Sequence, residues 1–314
     1  MGVIIKSIEF TLPKNKENLK DLLYKNPTWN IKKIYSATGI NNRYISSEKE
    51  SILDLSIKSA KKLLKKFPKN KIDFLICVTQ TFNYKLPSMA CILQHKLNLK
   101  SNIQAFDINM GCSGFIYALS IGEKIIEFGD SKNGLIICSD VYTKYISKNN
   151  SSCRPIFSDA SSSILLCKSP NKSIKKFTFG TDGKGALDLN LHEDSKEIFM
   201  NGAKVALFAI KRVPEAINEL LFKNNIKITK INKFIFHQAS KFVLENIYKI
   251  LKINKNKIFE NYKDYGNTTS SSIPIALKIA SSKNLIKNND NIILCGFGVG
   301  LSWASVLLKW KKIN

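Results

Sequence analysis

Short apolar runs rich in β-branched residues alternate along the chain with longer segments in which apolar residues recur at helical spacing. Residues 73–79 form one strand-like run, and residues 52–67 before it follow a helical period. The strand-like runs are apolar throughout, which is typical of strands covered by helices on both faces. No Pro/Gly/Ser-rich linker interrupts the pattern. The sequence therefore predicts an α/β protein whose parts pack together.

Three segments recur in the same order about half a chain further on. Residues 71–76 resemble 230–235, residues 111–119 resemble 269–277, and residues 135–138 resemble 292–295. Such a regular spacing indicates an internal repeat, although short apolar strands can also resemble one another by chance. We predict a duplicated α/β unit with halves at 1–168 and 169–314. The halves are expected to meet across a pseudo-twofold axis and to line one cleft.

Cys112 occupies a strand–turn–helix elbow. A strand-like run ends near residue 108, and helical sequence runs from Cys112 to about residue 128. The positive end of a helix and its free backbone N–H groups favour a thiolate, so this position predicts a nucleophile. The alternative is a small buried residue. That alternative is the expectation for the cysteines in other strand-like runs: Cys77, Cys138, Cys167 and Cys295.

His237 and Asn267 stand at similar junctions. His237 ends the strand-like run 234–236 and opens a helix-like run to residue 251. A helix N-terminus disfavours imidazolium, so a neutral, hydrogen-bonding imidazole is predicted here. Asn267 lies in the polar turn 265–274 ahead of helical sequence, where it is either a functional amide or a turn residue. His95 and His192 are expected on the surface.

Taken together, the motifs of this chain resemble those of the β-ketoacyl-acyl-carrier-protein synthase III family of the thiolase superfamily. The matching segments run in family order across nearly the whole chain: 38–43, 87–91, 107–119, 200–202, 237–239, 266–268 and 298–303. The resemblance implies a thiolase-like, duplicated, five-layered αβαβα fold and a homodimer. It also implies decarboxylative condensation of an acyl thioester, acyl-CoA or acyl-ACP (acyl carrier protein), with malonyl-ACP to give 3-oxoacyl-ACP.

The same resemblance implies roles for individual residues. Cys112 would hold the primer acyl group, and His237 and Asn267 would donate hydrogen bonds to the enolate oxygen formed by decarboxylation. Backbone N–H groups of Cys112 and of the loop 298–300 would form the oxyanion hole. Neither a metal ion nor another cofactor is required. The residues expected to contact substrate are Leu86, Phe157, Met200, Gly202, Gly298, Val299 and Gly300.

The chain departs from the family at positions that bear on substrate. The Trp and Arg that clamp the adenine of coenzyme A fall on Lys33 and Ala37, so acyl-ACP stays open as a donor and Trp29 is a candidate replacement. The family Phe that closes the partner's acyl pocket is Leu86, which predicts a longer, branched or substituted primer. We therefore expect a specialised lipid, glycan-modification or secondary-metabolite pathway.

Two glycine-rich segments of the family are also altered. Residues 158–162 are Ser-Asp-Ala-Ser-Ser where the family has Gly-Asp-Gly-Ala-Gly, and Val299 interrupts the closing glycines. A backbone N–H survives both changes, so activity is expected to be retained.

The net charge is +25, from 49 Lys+Arg against 24 Asp+Glu. Such a balance makes nucleic acid the first candidate partner, followed by an anionic membrane surface. However, only three of the basic residues are Arg, which nucleic-acid readers favour, so we predict no nucleic-acid binding. The acidic carrier protein is the expected partner. The lysines predicted to bind it are Lys241, Lys249, Lys204 and Lys211.

Seven widely spaced cysteines predict reduced thiols and a cytoplasmic location. No apolar stretch approaches the roughly 18 residues of a membrane span, so no membrane insertion is expected. Two enzymatic alternatives remain: transfer of an acyl group to another acceptor with the same three residues, or condensation without decarboxylation as in 3-hydroxy-3-methylglutaryl-CoA synthase. A more remote alternative is a non-catalytic, basic nucleic-acid-binding protein.

Overall fold

The computed structural model describes residues 1–192 and 194–312. Two β-sheets form its framework. In spatial order, the first sheet contains β1 (Gly2–Thr11), β7 (Ala160–Ser169), β6 (Asn133–Asp140), β4 (Phe74–Val78) and β5 (Gln104–Ile108). The second contains β8 (Ile174–Thr181), β13 (Ser302–Lys309), β12 (Asn291–Gly298) and β11 (Lys233–Phe236). Two ribbons pair β2 (Asn15–Asn18) with β3 (Asn42–Ile45) and β9 (Leu189–Leu191) with β10 (Ile198–Met200).

The two sheets share one strand order and one set of directions. In the first sheet β4 is parallel to β6, while β7 is antiparallel to both β6 and β1. In the second sheet β11 is parallel to β12, while β13 is antiparallel to both β12 and β8. Strand β5 extends the first sheet by one parallel strand. The repeated sequence segments lie on equivalent elements of the two halves, so the repeat is present in the fold as well as in the sequence. The boundary at residue 168 stays a prediction.

Helices form three layers around the sheets. Helices α5 (Gly114–Phe128) and α9 (Ser272–Ser282) lie between the sheets, and each contacts strands of both. Helices α3 (Ile52–Leu64) and α4 (Met89–Lys96) cover the outer face of the first sheet, and α6 (Gly202–Lys223) and α7 (Lys241–Ile250) cover that of the second. This is the five-layered αβαβα, thiolase-like arrangement that the resemblance implied.

The remaining helices are short. They are α1 (Leu19–Tyr24), α2 (Ile31–Thr38) and α8 (Tyr262–Tyr265), with 3-10 turns at Lys69–Lys71, Tyr142–Tyr145, Gly183–Asp188, Ile228–Lys230, Lys255–Lys257 and Thr269–Ser271. No helix in the described ranges is both long enough and apolar enough to cross a membrane.

Burial on both faces explains why the strands read as continuous apolar runs. In β4, Leu75 and Cys77 pack against α3 and α4, while Phe74, Ile76 and Val78 pack against the central helices. Because neither face meets water, no polar alternation is needed.

Serine hydroxyls link the layers where β7 passes between helices. Ser161 and Ser163 point to one side, where each is hydrogen-bonded to Ser59 of α3, at 2.9 and 2.8 Å. Ser162 points to the other side and donates to Ser271, just before α9, at 3.2 Å. Ser162, which stands where the family has glycine, is therefore accommodated by a buried hydrogen bond.

Candidate active site

A cavity of about 650 Å³ lies where the two halves of the fold meet. Cys112, His237 and Asn267 all line it. Cys112 comes from the turn between β5 and α5, His237 directly follows β11, and Asn267 lies between α8 and α9. The structure therefore brings the three predicted residues into one cavity from distant parts of the sequence.

Two glycines of β12 make room for the cysteine elbow. A Cβ atom at Gly298 would lie 3.0 Å from Cys112 Cβ and 3.1 Å from its Sγ, and one at Gly296 would lie 2.5 Å from the Cys112 carbonyl oxygen. A side chain at either position would displace the elbow, because carbon atoms in contact sit about 3.5 to 4.0 Å apart. Sequence reasoning found Gly298 but missed Gly296.

The Cys112 thiol is buried, with 5% of the residue exposed. Burial raises the pKa of this thiol, and the nearby Asp140 carboxylate raises it further, while the Cys112 backbone N–H acts in the opposite direction. Burial therefore opposes the thiolate that the helix N-terminus was expected to favour, and the pKa of the thiol lies above its ordinary value. The resting nucleophile is a thiol whose proton must leave during attack.

His237 is buried, and its ring packs edge-to-face on Phe297 with centroids 5.4 Å apart. Burial lowers the pKa of His237 to about 3, so its imidazole is neutral. The expected cause was wrong: α7 begins four residues later at Lys241 and is capped by Ser240, so desolvation, not the helix end, keeps the ring neutral. His237 Nδ1 is 2.7 Å from Ser272 Oγ, which leaves Nε2 for a ligand.

Asn267 is held at both its backbone and its side chain. Its backbone N–H donates to Ile156 O, and its carbonyl oxygen accepts from Ser158 N, both at 2.9 Å. Its side-chain Oδ1 accepts from Thr269 N, also at 2.9 Å. The Nδ2 donors are the part of the amide that remains for a ligand in the cavity.

The predicted substrate residues divide between several places. Val299 lines a second cavity of about 210 Å³, which shares Tyr142 and Leu189 with the first. Gly300, at a φ of +139°, borders neither cavity of the described chain. Leu86 lies outside both and is 85% exposed, so it forms no part of the cavity wall of its own chain. The remaining four line the first cavity: Phe157, Met200, Gly202 and Gly298.

A tyrosine and a glutamine near Cys112 were missed by sequence reasoning. Tyr142 lies in the wall shared by the two cavities, and its hydroxyl donates to Gln80 Oε1 at 2.8 Å. Gln80 in turn lines the smaller cavity. Neither residue belongs to a motif, so only the tertiary structure reveals the pair.

Exposed residues of α2 line the cavity at its mouth, and α2 packs against α7, which carries two of the predicted carrier-protein lysines. Trp29, Lys33 and Ala37 line the cavity. The four lysines lie on the neighbouring helices α6 and α7: Lys204, Lys211, Lys241 and Lys249. Lys204 pairs with Asp188 at 3.1 Å and Lys241 lies 3.9 Å from Glu245, while Lys211 and Lys249 are exposed.

Comparison with known proteins gives one consistent family. The family model described as 3-oxoacyl-[acyl-carrier-protein (ACP)] synthase III matches residues 106–183, and the model of its C-terminal part matches residues 221–310. A β-ketoacyl-[acyl-carrier-protein] synthase III of Clostridium perfringens is 38% identical, with 95% of this chain and 96% of the relative covered.

A relative of the same description from Trichodesmium erythraeum is 32% identical over 99% of both chains. The crystal structure of 3-oxoacyl-[acyl-carrier-protein] synthase III from Aquifex aeolicus superposes with a TM-score of 0.93, at 32% identity, covering 98% of this chain and 100% of that one. On this identity and coverage, together with the geometry of the cavity, the chain belongs to the β-ketoacyl-[acyl-carrier-protein] synthase III family.

Proposed function

We propose that this protein joins an acyl thioester to malonyl-ACP with loss of carbon dioxide, giving 3-oxoacyl-ACP. One observation carries the proposal: a buried cysteine shares a cavity with two neutral hydrogen-bond donors, His237 and Asn267. A thiol can hold an acyl group, and two donors aimed at one oxygen can stabilise an enolate. The reaction needs these groups and no metal ion or other cofactor.

The first step transfers the primer acyl group to the protein. Cys112 Sγ attacks the thioester carbonyl carbon, the new C–S bond forms, and the bond to CoA or ACP breaks. The Cys112 proton ends on the departing thiol. Backbone N–H groups of Cys112 and of the loop 298–300 stabilise the oxyanion in our proposal, and the glycines beneath the elbow allow that close approach.

The second step generates the carbon nucleophile. The C–C bond to the free carboxylate of malonyl-ACP breaks, carbon dioxide leaves, and the electron pair forms an enolate. The enolate oxygen accepts hydrogen bonds from His237 Nε2–H and Asn267 Nδ2–H. His237 carries its proton on Nε2 when the Ser272 hydroxyl donates to Nδ1 across their 2.7 Å contact.

The third step forms the product. The enolate carbon attacks the acyl carbon on Cys112, and the resulting tetrahedral intermediate expels the sulfur. The Cys112 thiolate released in this way takes up one proton from solvent, which is the single proton that decarboxylation and condensation together consume. Because burial raises the pKa of this thiol, the protonated form is the stable end state.

The primer arrives on CoA or on ACP in this proposal. Trp29 at the cavity mouth is the residue placed to stack on adenine if CoA is the carrier. Leu86 is exposed in the single chain, which supports a homodimer in which it closes the partner's acyl pocket. Because Leu86 stands where the family has Phe, we propose a longer, branched or substituted primer and a specialised lipid, glycan-modification or secondary-metabolite pathway.

Long-range attraction between a chain of net charge +25 and the acidic carrier protein would speed their encounter and make it sensitive to salt. The lysines of α6 and α7 are proposed as the docking surface. Lys204 and Lys241 are each next in sequence to a residue that lines the cavity, Val205 and Ser240.

Mass spectrometry of acyl adducts tests the proposal. The protein is incubated with a panel of acyl-CoAs and acyl-ACPs, and intact and peptide masses are recorded before and after addition of malonyl-ACP. One acyl group should appear on Cys112 and be discharged with release of carbon dioxide. Cys91→Ala, which removes an exposed cysteine, is the matched control and should behave as wild type.

Three results would contradict the proposal. An acyl group on another cysteine, or normal condensation by Cys112→Ala, would exclude the mechanism. Acyl transfer to an acceptor other than malonyl-ACP, or condensation without carbon dioxide, would favour the acyltransferase or the 3-hydroxy-3-methylglutaryl-CoA synthase-like alternative. Salt-sensitive DNA retention that survives Cys112→Ala, without any acyl adduct, would favour a nucleic-acid-binding protein.

A further inference from the structure

Asp140, the last residue of β6, is fully buried and has no place in the mechanism above. None of the ion pairs found in the described ranges includes it. Instead, two groups of donors surround its carboxylate. Oδ1 accepts from Gln80 N at 2.9 Å and lies 3.3 Å from Thr81 Oγ1. Oδ2 accepts from Thr269 Oγ1 at 2.7 Å and from Ser270 Oγ at 2.6 Å.

This arrangement joins the two halves of the fold beside the cavity. Gln80 and Thr81 follow β4 in the first half, whereas Thr269 and Ser270 precede α9 in the second. A buried carboxylate accepts hydrogen bonds only, so it can hold several hydroxyl and amide donors at once. Replacing it would leave those donors without their acceptor.

Thr269 connects this carboxylate to Asn267. Its backbone N–H donates to Asn267 Oδ1, and its hydroxyl donates to Asp140 Oδ2. Its φ of +49° lies in the left-handed region, which a β-branched residue rarely adopts and which surrounding contacts must therefore impose. The two hydrogen bonds are the contacts that fix this conformation.

We infer that Asp140 is a positioning residue for condensation: through the Thr269 hydroxyl it holds the turn that fixes the Asn267 amide with its NH2 group toward the cavity. The inference rests on the proposed function, since it concerns the donor that stabilises the enolate. If Thr269 turned away, Asn267 Oδ1 would lose its partner and the amide could rotate. Decarboxylation would then lose one of its two donors.

A purely structural role for Asp140 predicts something different. Acylation of Cys112 does not use the Asn267 amide, whereas decarboxylation does. If Asp140 positions Asn267, breaking its contact with Thr269 therefore lowers the rate of decarboxylation while acylation continues. If Asp140 only stabilises the fold, breaking the contact lowers both rates together, because a loosened junction between the halves disturbs the whole cavity.

Variants of Thr269 and Ser270 separate the two roles. Thr269→Val keeps the shape and the backbone N–H but loses the hydroxyl, and Thr269→Ser restores it. Ser270→Ala is the matched control, because it removes a hydrogen bond to the same oxygen of Asp140 from a residue that does not contact the Asn267 amide. Thermal unfolding of all three variants reports the structural cost.

Two rates are measured. The first is formation of acyl-Cys112 from acetyl-CoA, butyryl-CoA and the corresponding acyl-ACPs, and the second is carbon dioxide release from malonyl-ACP. Thr269→Val should slow carbon dioxide release about 100-fold, as expected for a displaced donor. Its acylation rate, and both rates of Thr269→Ser and Ser270→Ala, should stay within about three-fold of wild type.

Parallel loss of both rates in Thr269→Val, or carbon dioxide release at the wild-type rate, would overturn the inference. So would an equal loss of carbon dioxide release in Ser270→Ala, because that residue acts on Asp140 without touching Asn267. A wild-type protein that forms no acyl-Cys112 with any of the four donors would instead overturn the proposed function, and the inference with it.

Discussion

A single methyl group at Gly298 should displace the nucleophile without disturbing the rest of the fold. The Cβ of Gly298→Ala would lie 3.0 Å from Cys112 Cβ and 3.1 Å from Sγ, and no other atom comes within 4 Å. Carbon atoms in contact prefer about 3.5 to 4.0 Å, so the Cys112 side chain must move by about half an ångström.

The size of the kinetic effect follows from that displacement. A misplacement of about 1 Å in a reacting group costs on the order of 100-fold, so half of it predicts a loss of about tenfold. Tenfold corresponds to about 1.4 kcal/mol of transition-state stabilisation. Stability should change little, because the contact is with one side chain and not with the backbone.

Stopped-flow or quenched acylation of Cys112, followed by intact mass, measures the effect. Gly183→Ala is the matched control, since a Cβ there meets nothing within 4 Å, and it should acylate at the wild-type rate. Gly296→Ala, whose Cβ would lie 2.5 Å from a backbone oxygen, should lower stability as well as rate. Wild-type acylation by Gly298→Ala would refute the steric reasoning.

Three further predictions concern the histidine, the wall shared by the two cavities and the mouth of the larger cavity. Because burial lowers the pKa of His237 to about 3 from 6.5, the unfolded chain binds its proton first and the folded state loses stability as the pH falls through this window. In His237→Gln, the free energy of unfolding measured in urea should fall less steeply as the pH is lowered, by up to about 1.4 kcal/mol per pH unit relative to wild type. An unchanged slope would contradict the low pKa. Tyr142→Leu, which removes the bond to Gln80, should shift acylation from acetyl-CoA toward butyryl-CoA in a competition assay; an unchanged ratio would exclude Tyr142 from primer selection. Trp29→Ala should raise KM for acyl-CoA about tenfold without changing KM for acyl-ACP, as expected for lost stacking, and equal changes for both donors would contradict that role.

Much of the fold could be predicted because buried segments have a recognisable pattern of apolar residues. The run 73–79 is apolar throughout because both faces of β4 are covered, and the repeat was visible because equivalent strands of the two sheets kept similar residues. Helix boundaries were predicted less accurately. The helix predicted over residues 238–251 begins at Lys241, because Ser240 provides the cap and the residues before it form the cavity wall.

The candidate site could be predicted in its residues but not in its electrostatics. Cys112, His237 and Asn267 each stand where strand-like and helix-like patterns meet, which is a local signal. The pKa of Cys112 depends on burial and on Asp140, a residue of another strand, so no local pattern contains it. Tyr142 and Gln80 are 62 residues apart in the sequence, so no local pattern indicates the hydrogen bond between them either.

The buried serine bonds restrict the order in which this sequence can evolve. Ser59 is the shared hydrogen-bond partner of Ser161 and Ser163. Replacing Ser59 first would leave both of these buried hydroxyls without that partner, whereas replacing Ser161 or Ser163 first leaves the other one still bonded to Ser59. Ser271 likewise keeps a hydrogen bond without Ser162, because it also donates to Cys138 O at 2.7 Å. A lineage that returns to smaller residues here should therefore change Ser161 and Ser163 before Ser59.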